Sequence, residues 1–146
     1  MHVVCPQCSA VNRVDDARLA TVADQTGQAV CGKCGADLLP AHPVALDDAS
    51  FANFIRYSEL PVVVDFWADW CGPCRMLGPV IEEIARENPD IKVCKLNVDA
   101  HPELAGKYGV MSIPNLLFFK DGELKDNSIG VVAKAVIQNK IDLLKS

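Results

Sequence analysis

The two cysteines of Cys71-Gly72-Pro73-Cys74 lie between segments of different hydrophobic periodicity. Residues 61–67 form an apolar run that does not alternate, a pattern typical of a central strand buried on both faces. After the cysteines, apolar side chains recur at helical spacing, at Leu77, Val80, Ile81, Ile84 and Ala85. The sequence therefore predicts a buried strand, a turn that holds both cysteines, and a helix that starts at this turn.

The predicted turn favours redox chemistry at the two cysteines. In the first turn of a helix, free backbone N–H groups and the helix dipole stabilise a thiolate, which favours Cys71 as a nucleophile. Pro73 suits the same turn because its missing N–H would be unpaired there. Cys74 is close enough to Cys71 for the two sulfurs to form a disulfide, and burial of Cys74 would keep its thiol protonated until it reacts.

Asp65 is a carboxylic acid inside the predicted buried strand. Burial of the charged form costs free energy, so the pKa of this side chain should be raised. One interpretation is a side chain that turns out to the surface. The other is a buried acid–base group behind the dithiol, which takes the proton from Cys74 as that thiol attacks.

Four more cysteines form two pairs near the N-terminus, Cys5 with Cys8 and Cys31 with Cys34. Two such knuckles supply four thiolates, the donor set of a closed tetrahedral Zn²⁺ site. A closed site leaves no position for a catalytic water, so we predict one structural zinc ion. Two disulfides among the same four cysteines are the alternative.

The cysteine pairs also suggest how the chain is divided. Residues 1–39 are too few for a self-sufficient hydrophobic core, so we predict a zinc-ribbon module that needs its metal to fold. Residues 40–46 contain two prolines and are predicted to be a linker and the start of the first strand. Residues 47–146 are predicted to form an α/β domain.

Composition argues against several classes of function. The net charge is −5, and the predicted ribbon has more acidic than basic side chains, so nucleic-acid or anionic-membrane binding is not expected. The sequence shows neither a secretory signal nor an apolar run long enough to span a membrane. Seven cysteines without such a signal indicate reduced thiols in a cytoplasmic protein. The seventh, Cys94, is expected to be buried and inert.

The residues around the dithiol resemble the thioredoxin family. The family signature is matched almost letter for letter, and further matches follow in the family's order, at residues 65–76, 95–99, 107–110, 112–114 and 130. The resemblance covers roughly residues 43–146, and the cysteine-rich segment before it narrows the match to the zinc-containing thioredoxin-2 type. It implies the thioredoxin fold, a central mixed β-sheet flanked by helices, here preceded by the ribbon.

The resemblance also implies an activity, protein-disulfide reduction by thiol–disulfide exchange. Cys71 would attack a disulfide in a protein substrate, and a Cys71–Cys74 disulfide would be the product on this chain. An NADPH-dependent thioredoxin reductase would restore the dithiol. The family binds no organic cofactor, and we expect a monomer.

Further site residues follow from the resemblance. Pro114 is expected to follow a cis peptide bond and to lie against the cysteines, which leaves the Ile113 backbone free to pair with an extended substrate. The resemblance places Lys95 beside Asp65, where it would tune the acid, although by pattern alone Lys95 is equally a surface strand residue. Asn115 departs from the threonine usual after this proline. The expected substrate contacts are Trp70, Gly72, Pro73, Ile113, Pro114 and Gly130.

Two other functions remain open on these residues. A thiol oxidase or isomerase could use the same fold, although the Gly72-Pro73 pair is similar to that of the reducing members. A redox-gated binding module could release zinc from its four cysteines under oxidants, because zinc-bound thiolates can be oxidised.

Overall fold

The computed structural model describes residues 1–23 and 29–146, and the side chains of residues 1–19 and 29–146. Residues 24–28, within the predicted ribbon, lie outside the described part of the chain. The first elements are an antiparallel hairpin and a helix: β1 (His2–Val4), β2 (Val11–Arg13) and α1 (Asp16–Ala23). The later elements alternate between strands and helices: β3 (Val44–Ala45), α2 (Asp48–Tyr57), β4 (Val62–Trp67), α3 (Gly72–Glu87), β5 (Lys92–Asn97), α4 (Pro102–Lys107), β6 (Asn115–Lys120), β7 (Glu123–Ile129) and α5 (Lys134–Lys145).

The five later strands form one mixed sheet in the order β3-β5-β4-β6-β7. β3 and β4 are parallel to β5, whereas β6 is antiparallel to both β4 and β7. The central strand β4 is buried along nearly its whole length, as its non-alternating apolar run predicts. The predicted thioredoxin fold, with helices on both faces of a mixed sheet, is therefore confirmed.

Each face of the sheet carries its own hydrophobic core. On one face, α2 and α4 pack against the strands, and the Phe51 ring meets those of Phe66 and Phe119 edge to face at 6.1 Å and 5.9 Å. On the other face, α3 and α5 bury Leu77 and Ile141 among the apolar side chains of the sheet. Both cores anchor β4, the strand that leads into the dithiol.

Local sequence signals fix the ends of several elements. Asp47 caps α2 by accepting a hydrogen bond from the Ser50 N–H at 2.8 Å, in a capping box with the Ser50 side chain. Asp121 and Gly122 have φ of 53° and 80°, as a tight two-residue hairpin turn requires. α3 runs through Pro79 and ends before Asn88.

The N-terminal residues pack against the starts of β4 and β5. Val4 joins the core beneath α2, and Leu60, which precedes β4, joins the apolar cluster of the N-terminal segment. The Lys92 ammonium, at the start of β5, donates a hydrogen bond to the Leu38 carbonyl, and the Asn53 amide on α2 donates to the Ser9 carbonyl at 2.9 Å. These contacts lie at the opposite end of the strands from the dithiol, which follows the carboxyl end of β4.

Residues 1–39 and residues 47–146 share buried contacts, and these contacts do not mark a boundary between two parts. The division of the chain at residues 39 and 46 therefore stays a prediction. Within the described residues, no helix has both the length and the apolar character that a membrane crossing requires.

Candidate active site and candidate metal centre

Cys71 and Cys74 are joined by a disulfide at the start of α3. Cys71 is the N-cap residue, and its Sγ accepts a hydrogen bond from the Cys74 N–H at 3.2 Å. Both residues are nearly buried, at 4% and 5% exposure. In the reduced protein the same N–H and the positive end of the helix would stabilise a thiolate on Cys71.

The two sulfurs face different surroundings although both are buried. The Cys71 sulfur lies 3.8 Å from the carbonyl oxygen of Ile113, one of the substrate contacts that the sequence predicts. Cys74 instead lines a partly open cavity together with Asp65. Cys71 therefore lies on the side of the predicted substrate contacts, and Cys74 lies on the side of Asp65.

Asp65 lies inside the protein, on β4, with 3% exposure. The interpretation of Asp65 as a surface side chain is therefore wrong. Its Oδ1 atom has no hydrogen-bond partner among the described residues. Burial raises the pKa of Asp65 to about 7, against the opposing effect of the Lys95 ammonium. Near neutral pH this carboxyl group can therefore both accept and release a proton.

The cavity behind the dithiol has a volume of about 170 Å³. A cavity of roughly 10–15 Å³ already holds one water molecule, so this cavity has room for water between polar groups. Asp65, Cys74 and Lys95 all line it, together with Pro43 from the segment that joins the N-terminal residues to the sheet. Proton transfer between Cys74 and Asp65 is therefore possible directly or through water.

Lys95 lies opposite Asp65 in the parallel register of β4 and β5. Its ammonium group sits 4.6 Å from the centre of the Trp67 ring, a distance typical of a cation–π contact. The nearby positive charge lowers the pKa of Asp65 and so offsets part of the effect of burial. The structure thus brings Lys95 to the acid and not to an open surface.

The substrate-binding residues that the sequence predicts meet beside Cys71. The Ile113-Pro114 bond is cis, as the resemblance implied, and the Gly130 N–H donates to the Pro114 carbonyl at 2.8 Å. Gly130 has φ of +83°, a conformation that L side chains rarely adopt. Trp70 is 67% exposed, so it is not a core residue. Gly72 and Pro73 form the first turn of α3 next to Cys71.

Sequence reasoning missed two features of this surface. The Trp70 indole N–H donates to an Asp99 carboxylate oxygen at 2.9 Å, which fixes the ring at the surface; nothing in the spacing of these two residues signals the contact. Exposed apolar side chains also flank the predicted contacts in sequence, at Met76, Met111, Ile129 and Val131. An apolar residue on the polar side of a helix or strand pattern was the available signal.

The four N-terminal cysteines converge on one point. The sulfurs of Cys5, Cys8, Cys31 and Cys34 all lie within 4.8 Å of one another, and the Cys5–Cys34 and Cys8–Cys31 pairs are each 3.6 Å apart. Tetrahedral bonds of about 2.3 Å from a central Zn²⁺ place sulfurs roughly 3.8 Å apart, close to these separations. None of the four is in a disulfide, so the disulfide alternative is not the arrangement in this structure.

The two knuckles have the same backbone design. The N–H groups of Cys5 and Cys31 donate to the carbonyls of Ala10 and Ala36, each at 2.8 Å. N–H groups of the following residues point at the first sulfur of each knuckle, at 3.4 Å from Gln7 and 3.3 Å from Lys33. These donors favour thiolates, which are the form that binds a metal ion.

The charge that four thiolates would carry also fits a bound cation. The N–H of Cys34 and the Asn12 amide lower the pKa of Cys31 to about 6. The Ala36 N–H acts in the same direction on Cys34, but burial and the three neighbouring sulfurs raise the pKa of Cys34 to about 12. Four thiolates this close repel one another, so the donor set fits a divalent metal ion that neutralises them.

Comparisons with known proteins agree with the fold. A family model described as thioredoxin matches residues 42–143. Thioredoxin C-3 of Corynebacterium nephridii is 41% identical over 117 residues, 80% of this chain and 77% of the relative. Thioredoxin 1 of Synechococcus elongatus is 48% identical over 67% of this chain and 92% of its own length. The chloroplastic M-type thioredoxin of Pisum sativum is 52% identical, but this chain covers only 57% of it.

Solved structures show the same likeness. The structure of a mutant thioredoxin from Halobacterium salinarum superposes with a TM-score of 0.68, at 33% identity, and the match covers 73% of this chain and 94% of that one. A thioredoxin of Malassezia sympodialis superposes with a TM-score of 0.64, at 30% identity, over 70% of this chain and 90% of its own.

Proposed function

The chain belongs to the thioredoxin family, whose members are protein-disulfide oxidoreductases, and from that premise we propose that it reduces disulfides of protein substrates with the dithiol Cys71-Gly72-Pro73-Cys74. One observation carries the proposal. Cys71 caps a helix beside the backbone of Ile113, while its partner Cys74 shares a cavity with the buried acid Asp65.

The first step is attack by the Cys71 thiolate on one sulfur of the substrate disulfide. The substrate S–S bond breaks, a mixed disulfide forms, and the released substrate thiolate takes a proton from solvent. The N–H of Cys74 and the start of α3 hold the attacking thiolate. The Ile113 backbone pairs with the extended substrate, while Trp70 and Gly130 border the contact.

The second step uses Cys74 and Asp65. The Cys74 thiol gives its proton to the Asp65 carboxylate, directly or through water in the cavity, and the Cys74 thiolate attacks the Cys71 sulfur. The mixed disulfide breaks and the second substrate sulfur leaves as a thiolate, which is then protonated. Two electrons have passed to the substrate, and the Cys71–Cys74 disulfide remains until an NADPH-dependent thioredoxin reductase reduces it.

The four N-terminal cysteines are proposed to bind one structural Zn²⁺ ion. Cys5, Cys8, Cys31 and Cys34 supply all four thiolates, and the backbone N–H groups of both knuckles orient them. The metal supplies charge neutralisation and cross-links the N-terminal segment. Because such a zinc site and a reducing dithiol both need reduced thiols, we propose that the protein acts in the cytoplasm.

The two-step scheme is tested by trapping the mixed disulfide. Cys74→Ser protein incubated with a disulfide-containing protein such as insulin should accumulate a covalent adduct that a thiol reductant releases. Cys71→Ser should form no adduct and should show no turnover, which makes it the matched control. If Cys74→Ser accumulated no adduct while the wild type reduced the same substrate, the two-step scheme would be wrong.

The direction of electron flow separates a reductase from an oxidase or isomerase on the same fold. Equilibration with glutathione redox buffers, followed by quantification of the Cys71–Cys74 dithiol, gives the potential. The proposal expects a reducing couple that glutathione disulfide oxidises readily. A strongly oxidising couple would instead favour the oxidase.

A further inference from the structure

A second groove is lined in part by Met111 and Ser112, which precede Ile113 in the chain. It lies on the α2 and α4 side of β6 and β7, next to the segment that follows α4, and its volume is about 610 Å³. We call it the β6–β7 groove, and its main lining residues are Tyr108, Met111, Asn115, Leu124, Asn127 and Ile129. Met111, at 96% exposure, and Ile129, at 58%, leave apolar surface open along it.

The β6–β7 groove is continuous with the site of the proposed chemistry. Met111 and Ser112 directly precede Ile113, whose carbonyl oxygen lies 3.8 Å from the Cys71 sulfur. Ile129 directly precedes Gly130, whose N–H donates to the Pro114 carbonyl. A polypeptide whose cysteine is attacked by Cys71 can therefore extend into this groove.

Asn115 marks the floor of the groove with an unused hydrogen-bonding group. The residue is 4% exposed, and among the described residues its Oδ1 atom has no hydrogen-bond partner. An unsatisfied buried amide oxygen opposes folding, so a local structural role does not explain it. The terminal torsion of an asparagine side chain is broad, so the amide can turn toward a ligand at low cost.

The chemistry of the groove fits a main chain better than a charged small molecule. Lys125 lies at the groove, but its ammonium is already paired with the Glu123 carboxylate at 2.7 Å. Exposed apolar side chains lie near the two ends of β7, at Leu124 and Ile129, with polar residues between them. An extended peptide offers both apolar side chains for such surface and main-chain N–H donors for Asn115.

We propose that the β6–β7 groove binds the extended polypeptide on one side of the substrate disulfide, and that Asn115 accepts a hydrogen bond from a main-chain N–H of this segment. Asn115 is then a recognition residue that distinguishes polypeptide disulfides from small ones. The inference rests on the proposed function, since the bound chain is that of the disulfide substrate.

The test compares two substrates on the full-length, metal-loaded protein. One is a peptide disulfide that extends several residues on either side of its cysteines, and the other is the disulfide of cysteine with both ends blocked. Asn115→Leu removes the amide at similar size. It should raise KM for the long substrate about threefold to tenfold, with kcat unchanged. The rate with the short disulfide should not change.

A second variant pair tests the groove independently of Asn115. Asn127→Trp fills the groove from an exposed position on β7 and should raise KM for the long substrate about tenfold. Leu143→Trp, at a 74% exposed position on α5, adds the same ring elsewhere and should have no effect.

Three results would contradict different parts of this proposal. Equal KM for the long substrate in wild type, Asn115→Leu and Asn127→Trp would overturn the groove inference and leave disulfide reduction intact. Equal slowing of both substrates would assign Asn115 a structural role and overturn its role in recognition. Failure of the wild type to reduce either substrate would contradict the proposed function, and the inference with it.

Discussion

At the scale of single residues, Asp65 links protein stability to chemistry. Its pKa of about 7 arises because burial of the charged carboxylate outweighs the attraction of Lys95. Burial makes the charged form of Asp65 costly, so the ionised side chain destabilises the fold. The same cost makes the carboxylate a good proton acceptor for Cys74. The same residue should therefore show opposite effects in stability and in rate measurements.

The stability effect has a defined pH window. The unfolded protein loses the Asp65 proton near pH 4 and the folded protein near pH 7, so the folded state holds more protons in between. The unfolding free energy contributed by Asp65 therefore falls as pH rises through this window, by at most roughly 4 kcal/mol. Asp65→Asn should be more stable than wild type at pH 8 and nearly equal to it at pH 4.

Urea unfolding of both oxidised proteins at pH 4, 6 and 8 measures this effect. Other titrating groups, including the metal-binding cysteines, are common to wild type and Asp65→Asn, so the difference in unfolding free energy isolates Asp65. A difference that does not change with pH would contradict a raised pKa for this side chain.

The rate effect concerns the second chemical step. Without a carboxylate, the Cys74 thiol must lose its proton to solvent, so resolution of a preformed mixed disulfide should slow by about 100-fold at pH 7 in Asp65→Asn. The deficit should shrink as pH rises, because hydroxide replaces the missing base. Rapid-quench measurement of substrate release gives this rate, and equal rates for both proteins at pH 7 would rule out Asp65 as the base.

At the scale of elements, the start of α2 is a further test. Asp47 closes a capping box with Ser50, and α2 carries Phe51 and Phe54 into one of the two cores. Asp47→Ala should lower the unfolding free energy by about 1 kcal/mol, with disulfide reduction unchanged. Asp48→Ala is the matched control, since it removes the same charge from the next residue. The Asp48 side chain is exposed, so its ion pair with His101 should contribute little free energy.

Urea unfolding in parallel checks both variants. If Asp48→Ala cost as much free energy as Asp47→Ala, helix charge and not the capping hydrogen bonds would explain the effect.

The sequence predicts those elements whose signals are local. The apolar run into Trp67 and the helix that starts at the Cys71–Cys74 turn each depend on a few adjacent residues, and the structure agrees with both predictions. Lys92 shows the opposite case. Lys92 is 2% exposed, and the residues around it in sequence do not predict this burial. Its ammonium contacts the Leu38 carbonyl and the Phe54 ring, and both residues are distant in sequence.

The candidate site divides in the same way. The dithiol and the cluster of four N-terminal cysteines follow from spacing, and the cis bond before Pro114 follows from family resemblance. The contact between Trp70 and Asp99, and the groove lined by Asn115, depend on how separate segments meet in space. No spacing rule contains that information.

At the scale of the whole molecule, the N-terminal segment and the sheet are coupled by shared buried contacts. Val4 lies in the core beneath α2, while Leu60 lies in the core of the N-terminal segment. Burial lowers the pKa of Lys92 to about 8, and its hydrogen bond to Leu38 joins the two parts. Loss of the metal should therefore unfold residues 1–39 and weaken the remainder without unfolding it.

Chelation of zinc tests this coupling. We expect thermal melting with a chelator to retain one cooperative transition for the sheet, at a lower Tm, because the exposed faces of Val4 and Leu60 lose their cover. Hydrogen exchange should show loss of protection confined to residues 1–39. Loss of every protected amide would contradict two separable parts, and an unchanged Tm would contradict the coupling.

The central claim is that the seven cysteines divide into four metal ligands, one working pair and one buried thiol. Zinc and free thiols per chain, measured on denatured samples of reduced and of mildly oxidised protein, test this division directly. We predict one zinc ion per chain in both samples and a loss of only two thiols on oxidation, at Cys71 and Cys74. Absence of zinc from the reduced protein, or release of zinc with the first thiols oxidised, would contradict the account.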